Sequence, residues 1–147
     1  MEQVKFAMVE KKAIRAADEN IAAQVEKFKA DAGSAELTVT VDWNAVGQMI
    51  SENTDALASD SYENVWVLGH TGERTVAVLE AMSTICNDDA DYKEELANIT
   101  SIVVKPKAKF DDSKSEFSID GTEITIESGH RMTRSASDFV EPVKALF

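Results

Sequence analysis

Residues 67–75 read Val-Leu-Gly-His-Thr-Gly-Glu-Arg-Thr, an apolar run that feeds into two glycines and then a helical pattern. Strand, glycine turn and helix is the outline of a phosphate-binding site, because free amides at a helix start point at an anion. The spacing does not fit a nucleotide loop. Such a loop needs four residues between its glycines and a lysine after the second. Here two residues separate Gly69 from Gly72, and Glu73 stands in the lysine's place. The dinucleotide fingerprint needs a third glycine that this stretch lacks. The reading that remains is structural: a turn at Gly69, a cap at Thr71 and a carboxylate, Glu73, near the positive helix end. The competing reading is a polar site around residues 69–75, with His70 and Arg74 joined by Asp42, in a small-ligand binder or an enzyme.

The other reactive residue types give weaker patterns. Residues 87–95, Asn-Asp-Asp-Ala-Asp-Tyr-Lys-Glu-Glu, place oxygens where a calcium loop begins. Tyr92 then replaces the glycine of the sharp turn, and Asn98 replaces the bidentate glutamate. Helix capping by Asp88 or Asp89 explains them better. His70, His130 and Cys86 do not form a spaced metal set. Cys86 lies on an apolar helical stripe, as an inert core thiol would. Ser128, His130 and Arg131 are close in sequence, but the members of a triad converge from separate elements. No catalytic residue, metal or cofactor is assigned. Asp42, beside Trp43 at a strand end, reads first as a helix cap. Trp43 continues an inward alternation, whereas Trp66 flanks the glycines and is open to a binding role.

Those residues sit in a chain of 147 residues, the size of one domain. A 44% share of hydrophobic residues excludes general disorder. There is no basic start followed by an apolar core, and no apolar run approaches the roughly 20 residues of a membrane span. A single cysteine fits a reducing compartment, so a cytoplasmic protein is expected. The net charge of −12 is concentrated: residues 32–100 hold thirteen acidic residues against Arg74 and Lys93, while residues 1–31 balance six against six. A region so acidic repels phosphate backbones and attracts basic proteins.

The elements follow from periodicity. Ile14, Ala17, Ile21, Val25 and Phe28 share one face of a helix over residues 2–31, ended by Gly33, although Val4, Phe6 and Met8 also alternate as a strand would. If continuous, this helix is about 45 Å long and outruns a compact body, so it is expected either to break or to project in part. Ala7, Ile14, Ile21 and Phe28 recur every seven residues and offer a seam for a homodimer. Leu37, Val39 and Val41 alternate as a strand, followed by a helix carrying Val46, Met49, Ile50 and Leu57. Val78, Leu79, Met82, Ile85 and Cys86 mark a helix after the glycines. A short helix runs to Asn98, then come strands at Ile102–Val104, Phe117–Ile119 and Ile124–Ile126. Asp120-Gly121 makes the last two a hairpin, with Ile119 facing Thr122 and Phe117 facing Ile124. Phe139, Val140, Val143, Leu146 and Phe147 form a short C-terminal helix, with Asp138 as cap and Pro142 in the first turn.

Strands and helices do not alternate regularly, so the expected fold is a single α+β domain: an antiparallel sheet of about four strands with helices on one face. The expected function is protein–protein binding by a small acidic protein, as in an inhibitor, immunity protein or chaperone, without catalysis. Its partner is expected to be basic, with no role for nucleic acid or membrane.

Overall fold

The computed structural model describes residues 4–34, 36–107, 115–129 and 135–147. The chain forms α1 (Met8–Ala32), β1 (Thr38–Val41), α2 (Trp43–Glu52), α3 (Thr54–Ser59), α4 (Asn64–Asp88), α5 (Ala90–Ala97), β2 (Ser101–Pro106), β3 (Ser115–Asp120), β4 (Glu123–Ser128), a 3-10 turn (Ala136–Phe139) and α6 (Val140–Lys144). His130, Arg131 and Arg134 lie outside the described residues.

The sheet is mixed, which corrects the expected antiparallel one. Its order is β1-β2-β4-β3, with β1–β2 and β2–β4 parallel and only β3–β4 antiparallel. One crossover hides the first parallel pair. Residues 43–97 fold into four helices between β1 and β2, so a single strand–helix–strand unit loses its alternating signature. The hairpin then returns β4 between β2 and β3, so β4 meets β2 in parallel.

The hairpin exists where expected, but its register differs. Ile119 pairs with Ile124 and Phe117 with Ile126. The turn is therefore Gly121-Thr122, flanked by Asp120 and Glu123. Gly121 has φ +61, which suits the turn with glycine in its first central position. The slip is by two residues, so every side chain keeps its face.

That face carries the core. Val39, Ile102, Ile124 and Ile119 form one row across the sheet, and Val41, Val104, Ile126 and Phe117 the next. Ile102, Val104, Ile124 and Ile126 are all buried. The opposite face shows Thr40, Val103, Thr125 and Ser118, none of them buried. Among the described residues, the helices thus pack on the first of these faces.

α1 and α4 are both 25 residues, about 37 Å, and run side by side. They point the same way: Glu10 shares a small cavity with Asn64, Ala17 meets Gly72, and Lys27 and Glu80 line one groove. α1 begins at Met8, later than expected. Residues 4–7 are not helical, and Glu10 Oε1 accepts from the Ala7 amide at 2.8 Å. Phe6 lies against Gly47 of α2, and the Val4 amide donates to Asn44 Oδ1 at 2.7 Å. Gly33 ends α1 with φ +71 and its amide on the Lys29 carbonyl. Of the stripe read as a dimer seam, Ile21 and Phe28 are 4% and 0% exposed and sit in the chain's own core, Ile14 is half-buried, and Ala7 is exposed ahead of the helix.

Two of the expected caps are present. Asp42 Oδ1 accepts from the Ala45 amide at 3.0 Å to start α2. Asp89 Oδ1 accepts from the Asp91 and Tyr92 amides at 2.9 and 3.4 Å to start α5. Pro142 lies in the first turn of α6, but Phe139, without a side-chain bond, occupies the cap position expected for Asp138.

Cys86 is buried near the end of α4, and burial pushes its thiol up from 9.0 to about 11. Lys93 opposes that rise and Asp31 adds to it. The unfolded chain thus loses this proton first as pH rises, so Cys86 withdraws stability between pH 9.0 and about 11. At neutral pH the thiolate fraction is cut about a hundredfold. Native protein is expected to react with an aromatic disulfide reagent on the order of a hundredfold more slowly than urea-unfolded protein. Equal labelling rates in the two states would contradict the burial.

Candidate functional site

The glycine segment is the interior of α4. Residues 64–88 are one helix, so no strand or loop precedes Gly69, and the amides of residues 69–75 serve helix bonds instead of an anion. This overturns the strand–turn–helix reading, and with it the cap at Thr71. Thr71 Oγ1 donates to the Val67 carbonyl at 2.8 Å, and Thr75 Oγ1 to the Thr71 carbonyl at 2.9 Å.

Both glycines line a groove between α1 and α4, but only Gly72 is a packing requirement. A Cβ on Gly72 would lie 2.5 Å from the Cβ of Ala17, whereas one on Gly69 would meet nothing within 4 Å. Gly72 thus lets α1 approach α4 closely at Ala17.

The expected site residues separate. Arg74 points inward and is 5% exposed, with Nη2 donating to Thr71 Oγ1 at 3.2 Å. It lines a void of about 10 Å³ with Thr75, Val104, Ile126, Ser128 and Phe139, at most one water in size. Asp42 sits on another element, as the cap of α2. His70 and Trp66 stay together. Both pack edge-on against Tyr62, at centroid distances of 6.0 and 6.3 Å. Tyr62 was not a sequence candidate. Its signal was its spacing, four residues before Trp66 and eight before His70. Trp66 is 47% exposed, one of the few large apolar side chains at the surface.

Trp66, Glu73 and Glu80 recur every seven residues and form one outward stripe along α4. Glu73 and Glu80 border the α1–α4 groove, which holds about 740 Å³. Its floor is Ala17, Gly72, Val76 and Ala77, and Asn20, Gln24 and Lys27 form the other bank. The carboxylates around it belong to a wider field. Of the thirteen acidic residues in 32–100, all but Asp89 are exposed. Among the described residues, no group of three or more His, Cys, Asp or Glu is placed to hold a metal ion. No helix among them is long and apolar enough to cross a membrane.

Compared with known proteins, the chain matches no family model, no curated protein and no solved structure. The site therefore rests on its own geometry.

Proposed function

We propose that this chain works by binding another protein, and that a basic segment of that partner lies along the α1–α4 groove beside Trp66. The observation that carries the reading is the pair Glu73 and Glu80 on one bank of a groove with a small-residue floor, with the exposed Trp66 seven residues before Glu73 on the same face of α4. A half-exposed tryptophan supplies apolar anchorage, and carboxylates on one bank select positive charge. Shallow walls and about 740 Å³ of open space suit a polypeptide side better than a small enclosed ligand. The role is that of an acidic inhibitor, immunity protein or chaperone, and no catalytic step is assigned to it.

Capture from native lysate on immobilised protein tests this. The partner is expected to be held at about 0.1 M salt and released near 1 M, as the screening length falls from about 10 to about 3 Å. The Glu73→Lys/Glu80→Lys double variant is expected to lose it at both. A partner retained equally at both salt concentrations, or equally by the double variant, would contradict the reading.

A further inference from the structure

Among the described residues, β1 is an edge strand with β2 as its one neighbour in the sheet. The Thr38 amide donates to the Thr100 carbonyl and the Asp42 amide to the Val104 carbonyl. Even-numbered residues of β1 therefore turn their main-chain groups to β2. By the two-residue period, the N–H and C=O of Val39 and Val41 point the other way, to the open edge. Among the described residues, no hydrogen bond reaches them there.

Proteins guard such edges with proline, lysine, a bulge or a covering element. β1 is Thr-Val-Thr-Val and has none of the sequence guards. Beside it lies a groove of about 510 Å³, bounded by all four residues of β1 and by Ile21, Ala22 and Val25 of α1. Trp43 closes one end, held by its Nε1–H donating to Asp18 Oδ1 at 2.9 Å. The groove thus combines what strand addition requires: unsatisfied main-chain groups along one wall and an apolar roof for alternate side chains.

We propose that this edge takes up an extended, positively charged segment of a partner protein, with apolar residues at alternate positions, as a fifth strand. The charge follows from the lining. Among the described residues that line it, the charged side chains are Asp18 and Glu26, both acidic. A second copy of the chain would bring its own Asp18 and Glu26 to the same place, so charge disfavours self-pairing. The surface is distinct from the α1–α4 groove and stands independently of it.

The probe is a short synthetic peptide of alternating valine and lysine, titrated calorimetrically into the full chain. Val39→Pro removes one outward N–H and leaves the β1–β2 ladder whole, so it is expected to fold and to bind at least about tenfold more weakly. The same peptide with alternate backbone amides methylated tests the ladder on unaltered protein and is expected not to bind. Glu26→Lys, on the exposed rim, is expected to weaken binding severalfold. Equal affinity for Val39→Pro, undiminished binding of the methylated peptide, or no binding of the plain peptide at millimolar concentration would overturn the proposal. So would a wild-type dimer that Val39→Pro converts to monomer, because the occupant would then be a second copy.

Discussion

Ile21→Glu is expected to unfold the chain. Ile21 is 4% exposed, and it faces the interior where α1 packs against the rest of the body. The substitution removes about 1.5–3 kcal/mol of apolar burial. It also strands a carboxylate, which must either stay charged in an apolar site or take up a proton at further cost. A domain holds only about 5–15 kcal/mol in all, so the combined loss removes much or all of its stability. Far-ultraviolet circular dichroism with a urea titration reads the effect. A variant that keeps the wild-type midpoint would place Ile21 at a surface and would restore the projecting helix with its dimer seam.

The two glycines of the 67–75 segment are expected to respond with opposite signs. Gly72→Ala sets a methyl 2.5 Å from the Ala17 Cβ and 3.3 Å from its Cα, so α1 must move as a body. Overpacking of this kind costs about 1–3 kcal/mol or more, against a gain of about 1 kcal/mol in helix propensity. Gly69→Ala meets nothing, so it keeps the propensity gain alone. Thermal melts should therefore fall by several degrees for Gly72→Ala and rise by a few for Gly69→Ala. Ala17→Gly placed in the Gly72→Ala background should recover part of the loss, because it removes the atom that clashes. Equal shifts for both glycines, or additivity in that pair, would remove Gly72 from the helix contact.

The local structure was more legible than its assembly. Period-two alternation marked every strand, Asp42 and Asp89 started helices with their carboxylates, and Gly33 ended one in a left-handed turn. Sheet topology was not legible, because parallel or antiparallel pairing depends on where four consecutive helices return the chain. α4 was misread at its start for a related reason. Gly69 and Gly72 look like turn residues locally, and only the approach of Ala17, 55 positions away, makes Gly72 a helix residue of choice. Arg74 was read as part of a polar site with His70 and Asp42, yet the helix phase it shares with Val78 turns it inward, where arginine is seldom found. The acidic middle was legible as a charged face, and Trp66 as open to a binding role. That Glu73 and Glu80 border a groove needed the helix pairing.

Amide hydrogen exchange of the chain, free and with its captured partner, reads the partner's footprint on the α1–α4 face. Slowed exchange is expected along residues 13–27 of α1 and 66–80 of α4, with their far ends unchanged. Protection confined to α5 and the C-terminal helix, with the α1–α4 face exchanging as in the free chain, would contradict it.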